Sequence, residues 1–522
     1  MILWTSREKT SDLLIESWVY TMQKIVMKEN YEQGWIRMFT HLANLFFEQS
    51  KIVDEDEEGA ILANLTLERT LDGQLVGKAI LTWDGVDYSA EFSEIEETDD
   101  DKVITRQLKR IYSHVFLETL EQATGMHQSW GILTGIRPMK LYHKYRREGY
   151  STEEAQQLLM DSHRLSSEKS ALLAKIANVQ LRTVPDLHEL KNEVSIYIGI
   201  PFCPTKCAYC TFPAYAINRK NGRVETFLDG LHDEIREMGK WLTARDMAIT
   251  TIYFGGGTPT SIEAEEMDAL YETMYASFPN MDKVREITVE AGRPDTITPA
   301  KIEVLKKWGI DRISVNPQSY TDETLKAIGR HHTVQETVDK FWLSRDMGMK
   351  NINMDLIIGL PNEGMKEFKH SLAETEKMQP ESLTVHTLSF KRASEMTRNK
   401  DKYKVANRET VEQMMKLGEE WNAANGYEPY YLYRQKNILG NLENVGYAKP
   451  GEESIYNIII MEEVQTIIGV GCGASSKFMD PETEKITQFY NPKDPAAYIL
   501  TYEDSIVKKL ALLDATFPEK VK

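Results

Sequence analysis

Between about residues 194 and 388 the chain repeats one pattern six times: a short apolar, β-rich run, a loop, then a stretch with helical periodicity. The apolar runs fall near 194–200, 250–254, 285–291, 311–316, 350–357 and 382–388, with helical patterns such as 223–241 and 264–277 between them. Helical crossovers join strands that run the same way, so this order predicts an α/β fold with a parallel sheet. Six such units fall short of a closed eight-stranded barrel.

The flanks read differently. An aromatic and methionine-rich amphipathic stretch from about Ser11 to Gln49 leads into an acidic turn at 54–58. Residues 60–93 then alternate apolar and polar and break at Asp72-Gly73 and Asp84-Gly85, the pattern of a β-meander with tight hairpins. Helical periodicity follows over 102–124, and Ser151 with Glu154 forms a capping box ahead of another helix. We therefore expect an α+β N-terminal accessory region at 1–190, a core at 191–392 and a C-terminal mixed domain at 393–522, with a helix near 408–425 and a strand near 427–433. Residues 1–21 precede Met22 and Met27, carry no catalytic signature and read as a start-site extension.

Composition narrows the function. There is no apolar run of about 18 residues and no secretory or lipidation signal, which points to a cytoplasmic protein without a membrane span. The net charge of −18 argues against nucleic acid as a partner, because neutralising phosphates needs a basic face. An anionic substrate would have to meet local cations instead, and the candidates are Arg137, Lys140, Lys391, Arg392, Arg434 and Lys436.

In α/β barrels, chemistry gathers where strands end. After the first strand, Cys203, Cys207 and Cys210 form a C-x3-C-x2-C loop that holds three of the four cysteines. Thiolates select zinc or iron–sulfur clusters, and a four-iron cluster with three protein ligands keeps one iron open. A structural zinc site wants a second ligand pair; none exists nearby, since His331 and His332 are remote in sequence. Gly255-Gly256-Gly257-Thr258 follows the second strand, where missing Cβ atoms would let the backbone approach a ligand. Glu290 ends the third strand, and a carboxylate accepts from two vicinal hydroxyls at once. Gln318 ends the fourth, Arg330 follows it, Asp355 interrupts the apolar fifth, and Val385-His386 lies on the sixth. Cys472, among glycines, reads as a small buried residue.

With Tyr209 ahead of Cys210, these motifs resemble the radical S-adenosylmethionine (SAM) superfamily. That resemblance implies a partial (β/α)6 barrel whose Cys203, Cys207 and Cys210 hold a [4Fe-4S] cluster, with SAM on the open iron. It implies SAM contacts at Tyr197, Tyr209, Gly256, Gly257, Thr258 and Glu290. It extends them to Gln318, Arg330, Asp355, Val385 and Ser475. Over about 190–480 the motif order is similar to the oxygen-independent coproporphyrinogen III oxidase group, and Trp130–Pro138 is similar to its HemZ branch.

The implied enzyme is an oxidoreductase of haem and porphyrin biosynthesis. In such an enzyme a 5′-deoxyadenosyl radical takes hydrogen from a propionate β-carbon, and the resulting radical loses carbon dioxide, and one electron to an acceptor, to leave a vinyl group. Done twice, this converts coproporphyrinogen III to protoporphyrinogen IX, with a low-potential electron donor and a tetrapyrrole substrate as partners. Phe212 stands where the oxidase branch has a fourth cysteine, which is the pattern of haem-chaperone relatives. Their haem-binding His-Asn-x-x-Tyr-Trp segment lines up with Tyr456–Met461, where only Asn457 is kept. A haem-binding chaperone, or a radical SAM enzyme with another substrate, are the alternatives.

Overall fold

The computed structural model describes residues 22–28, 33–47, 49–53, 59–96, 100–135, 137–212, 214–217, 223–390, 394–399, 402–435 and 438–518. The expected extension 1–21, the acidic turn 54–58, and Lys391, Arg392 and Lys436 lie outside them. The chain forms two compact units, Met1–Ala174 and Lys175–Lys522. The boundary comes before residue 190 because Val179, Val184, Leu187 and Leu190 bury themselves with Tyr430, Ile458 and Ile467 of the second unit.

In the first unit, the expected meander is present as β3 (Ile61–Arg69), β4 (Gln74–Trp83) and β5 (Val86–Ile95). Asp84 and Gly85 both take positive φ, 49° and 78°, as a two-residue hairpin turn requires. The helix Asp101–Thr124 packs on this sheet through Tyr112, Val115, Phe116 and Leu120. The stretch before the meander is not one amphipathic element. It holds β1 (Met22–Lys28) and β2 (Gln49–Val53), which extend the sheet in parallel, and the helix Ile36–Ala43. Ile25 and Val26 are fully buried, so the β-branched centre of β1 and its ladder partners decide its state. The Ser151–Glu154 capping box forms as expected.

The second unit is built on one eleven-stranded sheet. The six expected strands are β6 (Val194–Ile200), β9 (Ile249–Gly256), β10 (Glu286–Val289), β11 (Arg312–Ser314), β12 (Asn351–Ile358) and β13 (Ser382–Thr387). They lie side by side in chain order, all parallel. Their runs are buried on both faces, which is why they read as nearly unbroken apolar segments. Between β6 and β9, the two-residue strands β7 (Phe202–Cys203) and β8 (Tyr215–Ala216) pair with each other.

Residues after 392 do not form the expected separate domain; they complete this sheet at both edges. The strands β14 (Glu428–Tyr433) and β15 (Asn444–Ala448) add antiparallel to β13. At the other edge β16 (Thr466–Gly471) pairs parallel with β6, followed by antiparallel β17 (Ser475–Met479) and β18 (Ile486–Tyr490). The sheet stays open, with β14 and β18 as its edges, which makes the barrel partial. Among the described residues, no helix is long and apolar enough to cross a membrane.

Candidate active site

The cysteine loop leaves the end of β6 and is tied down on three sides. The amide of Ala208 donates to the Ile328 carbonyl at 2.9 Å, Thr205 Oγ1 donates to the Gly329 carbonyl at 2.9 Å, and the Met396 amide donates to the Ala208 carbonyl at 3.0 Å. Cys203 is buried, Cys207 and Cys210 are part-exposed, and none forms a disulfide. Burial pushes the Cys203 thiol up to about 11, against a 3.3 Å contact with the Thr258 hydroxyl. Among the described residues, no three His, Cys, Asp or Glu side chains converge on a single metal ion. A four-iron cluster asks for something else, one thiolate on each of three irons. Three thiols of one anchored loop, none in a disulfide and two of them reached by solvent, fit that donor set.

The glycine turn packs tightly against its neighbours. A Cβ on Gly255 would stand 3.0 Å from the Tyr197 hydroxyl, one on Gly256 3.0 Å from the Ile200 carbonyl oxygen, and one on Gly257 2.6 Å from the Phe202 carbonyl oxygen. The space is filled by the first strand and the cysteine loop. Gly257 and Thr258 donate their amides to the Ile200 and Phe202 carbonyls at 2.8 and 2.7 Å, so the turn clamps the loop that carries Cys203.

Two buried carboxylates of this sheet, Glu290 and Asp355, are near enough for the charge of Asp355 to act on Glu290. Tyr253 donates its hydroxyl to Glu290 at 2.5 Å, and its ring stacks on Tyr456 at 4.4 Å and Tyr197 at 6.1 Å. Burial pushes the Glu290 carboxyl up to about 7, the Tyr253 hydrogen bond opposing and the Asp355 charge assisting. Asp355 accepts from Asn316 at 2.7 Å and Asn353 at 2.8 Å, and His386 Nε2 lies 3.6 Å away. Burial pushes Asp355 up, but His386, Asn353 and Thr384 outweigh it and hold the carboxyl below its ordinary value. The far nitrogen of His386 is 3.2 Å from the Tyr433 hydroxyl.

The other sequence candidates separate. Gln318, at φ 65°, exchanges backbone hydrogen bonds with β12 at Asp355 and Ile357. Tyr209 lies beside Cys207 and packs on the cluster of Ala208, Leu325 and Ile328. Arg330 is buried, its terminal nitrogens donating to the Asn316 and Gly292 carbonyls at 2.6 and 3.1 Å. Val385 does not face this interior; its side chain points to Gly418 on the helix Arg408–Ala424, and its neighbour His386 takes the inward position. Ser475 opens β17 against the Gly469 backbone, next to Tyr197 in the ladder. Arg434 is buried with Asn441 as partner, and burial lowers it to about 10. Arg137 and Lys140 belong to the first unit. His331 is exposed and His332 buried. Cys472 is buried, its thiol pushed up to about 12 by burial. Phe212 is 59% exposed. Sequence reading missed Tyr253, Tyr433 and the inward role of His386; strand alternation from Val385 would have given the last.

A cysteine loop, a glycine clamp and a carboxylate at the ends of three successive parallel strands define a radical SAM protein, and the Radical SAM superfamily model matches residues 197–374. The cofactors are accordingly a [4Fe-4S] cluster and SAM. The chain is 58% identical over 492 residues to the oxygen-independent coproporphyrinogen-III oxidase-like protein HemZ of Bacillus subtilis (strain 168), spanning 93% of this chain and 97% of that one. It belongs to the HemZ family of coproporphyrinogen oxidase-like radical SAM proteins. The heme chaperone HemW of the same bacterium is 30% identical over 281 residues, 54% of this chain and 70% of that protein. Among solved structures, coproporphyrinogen III oxidase (HemN) from Escherichia coli aligns with a TM-score of 0.49 and 19% identity, covering 62% of this chain and 72% of that one.

Proposed function

We propose that this protein is a radical SAM oxidoreductase that decarboxylates coproporphyrinogen III oxidatively to protoporphyrinogen IX. The observation that carries the reading is that Cys203 and Glu290 follow the first and third strands of one parallel series and Asp355 lies on the fifth, in a chain related to HemZ over nearly its whole length. In this reading Cys203, Cys207 and Cys210 hold the cluster and Glu290 holds the SAM ribose. The bound cofactors would supply one-electron chemistry that removes a hydrogen atom from the propionate side chain.

The chain's own residues orient and seal. The Tyr253 hydroxyl fixes one oxygen of Glu290 and leaves the other for a ligand hydroxyl. His386 and Asn353 favour the ionised form of Asp355. The stacked rings of Tyr197, Tyr253 and Tyr456 close the interior against water. The propionates of the substrate would meet cations outside these groups, since Arg330 and Arg434 already bond protein carbonyls.

The likeness to HemW supports a second reading, haem binding without turnover. Against it, Tyr456 is buried in the tyrosine stack and Asn457 donates to Tyr430 at 3.3 Å, so this segment serves the core. Mass spectrometry of an anaerobic reaction with reconstituted protein, SAM, reductant, coproporphyrinogen III and cell extract tests the proposal. Loss of two carbon dioxide units with 5′-deoxyadenosine supports it; 5′-deoxyadenosine without porphyrinogen conversion moves the chemistry to another substrate, and stable haem retention without turnover favours the chaperone.

A further inference from the structure

Two arginines are buried beneath the cysteine loop, Arg293 with 2% and Arg330 with 6% of its surface exposed. Arg293 follows the third strand of the parallel series. Its Nε and Nη2 donate to the Asp295 carboxylate at 3.0 and 2.7 Å, a two-point pairing that fixes the guanidinium plane. Its remaining nitrogen, Nη1, reaches into the turn between Cys203 and Cys207 and donates to the Thr205 hydroxyl at 3.0 Å and the Thr205 carbonyl at 3.3 Å. Arg330 lies against the same loop, its guanidinium beside Cys207 and its Nε without a hydrogen-bond partner. His332 completes the layer, buried, with both ring nitrogens unpartnered and burial holding it neutral.

The charge count is unbalanced. Two guanidinium groups share one carboxylate, so this layer carries an excess positive charge away from water, a costly arrangement unless an anion lies against it. The loop above supplies that anion when its sulfurs bind iron, because a cluster held by three thiolates is negatively charged and becomes more so on reduction. Nearby positive charge favours the more negative state, and charge and hydrogen bonding around the sulfurs are established determinants of cluster potential.

We propose that Arg293, together with Arg330, forms a buried cationic cradle that fixes the Cys203–Cys207 turn and raises the reduction potential of the cluster held there. Arg293 is a positioning residue: it touches the loop between two ligands and acts through it. The inference rests on the reading that Cys203, Cys207 and Cys210 hold the cluster.

The test is a redox titration of the anaerobically reconstituted full chain, followed by the electron paramagnetic resonance signal of the reduced cluster, with iron per chain measured in parallel. Arg293→Gln removes a positive charge and shifts the midpoint to more negative potential. Asp295→Asn removes the opposing charge and shifts it to more positive potential. Arg293→Lys keeps the charge but loses the two-point pairing, so the potential stays near wild type while iron occupancy falls. If Arg293→Gln does not fold, the positive shift of Asp295→Asn carries the test. Shifts of one sign in both charge variants, no shift in either, or a Lys variant displaced as far as the Gln variant would overturn the cradle. Cys207→Ser with undiminished iron would overturn the cluster assignment instead.

Discussion

Replacing Tyr253 by Phe removes one hydroxyl and leaves the ring in its stack between Tyr197 and Tyr456. The hydroxyl donates to Glu290 at 2.5 Å, and a hydrogen bond to a charged group contributes about 1.5–3 kcal/mol, or about 1–2 pK units. Burial already sets the Glu290 carboxyl at about 7, so about three quarters of it is ionised at pH 7.5. Losing the hydroxyl lowers that fraction to between about one quarter and a few per cent. If the ionised carboxylate binds the ribose of SAM, affinity at pH 7.5 falls about 3- to 25-fold. Titration calorimetry of SAM into the reconstituted protein between pH 6 and 9 measures this. Wild-type affinity strengthens as pH rises through about 7, and the variant's curve lies at higher pH with most of the loss recovered near 9. An unchanged affinity, or a loss independent of pH, refutes the reasoning.

Other expectations are more local. Gly257→Ala places a methyl 2.6 Å from the Phe202 carbonyl oxygen, so the cysteine loop must shift and iron incorporation falls; a variant that reconstitutes to wild-type iron content removes the clamp from the argument. Lys509 and Glu234 form an ion pair with no exposure, so Lys509→Met destabilises by about 3–5 kcal/mol in urea unfolding, and adding Glu234→Gln recovers much of that loss. In the first unit, burial lowers His114 and His163 to about 4, so both are neutral when folded. The unfolded chain binds their protons more readily, and stability present above about pH 6.5 is lost as pH falls toward 4, by about 3 kcal/mol per histidine at most. Thermal scans at pH 7.5 and 5 should show this, with His114→Phe flattening the difference.

The six parallel strands were legible because strands buried on both faces leave an apolar run followed by a helical period. β16 was not: Thr466–Gly471 is as apolar as the others, but a short helix precedes it and an antiparallel strand follows, so the crossover rhythm was gone. β1 escaped for a related reason, since its parallel partners lie on both sides in space and later in sequence. Within the site, the cysteines and carboxylates stood out by residue type. Their partners did not, because Tyr253 meets Glu290 across 37 residues and Tyr433 meets His386 across 47, pairings that only the sheet creates. The glycines were found by their run, but their packing against Ile200 and Phe202 is a demand that only the folded chain shows.

The place of β16 beside β6 has a consequence for biosynthesis. Ser195 on the first strand bonds Gln465, 270 residues further along, at the entrance to the strand that flanks it. A chain leaving the ribosome therefore displays the cysteine loop on a strand with one bare flank for most of translation. Non-local pairings of this kind form late. A chain cut before β16 would carry the cysteine loop on a strand with that flank open.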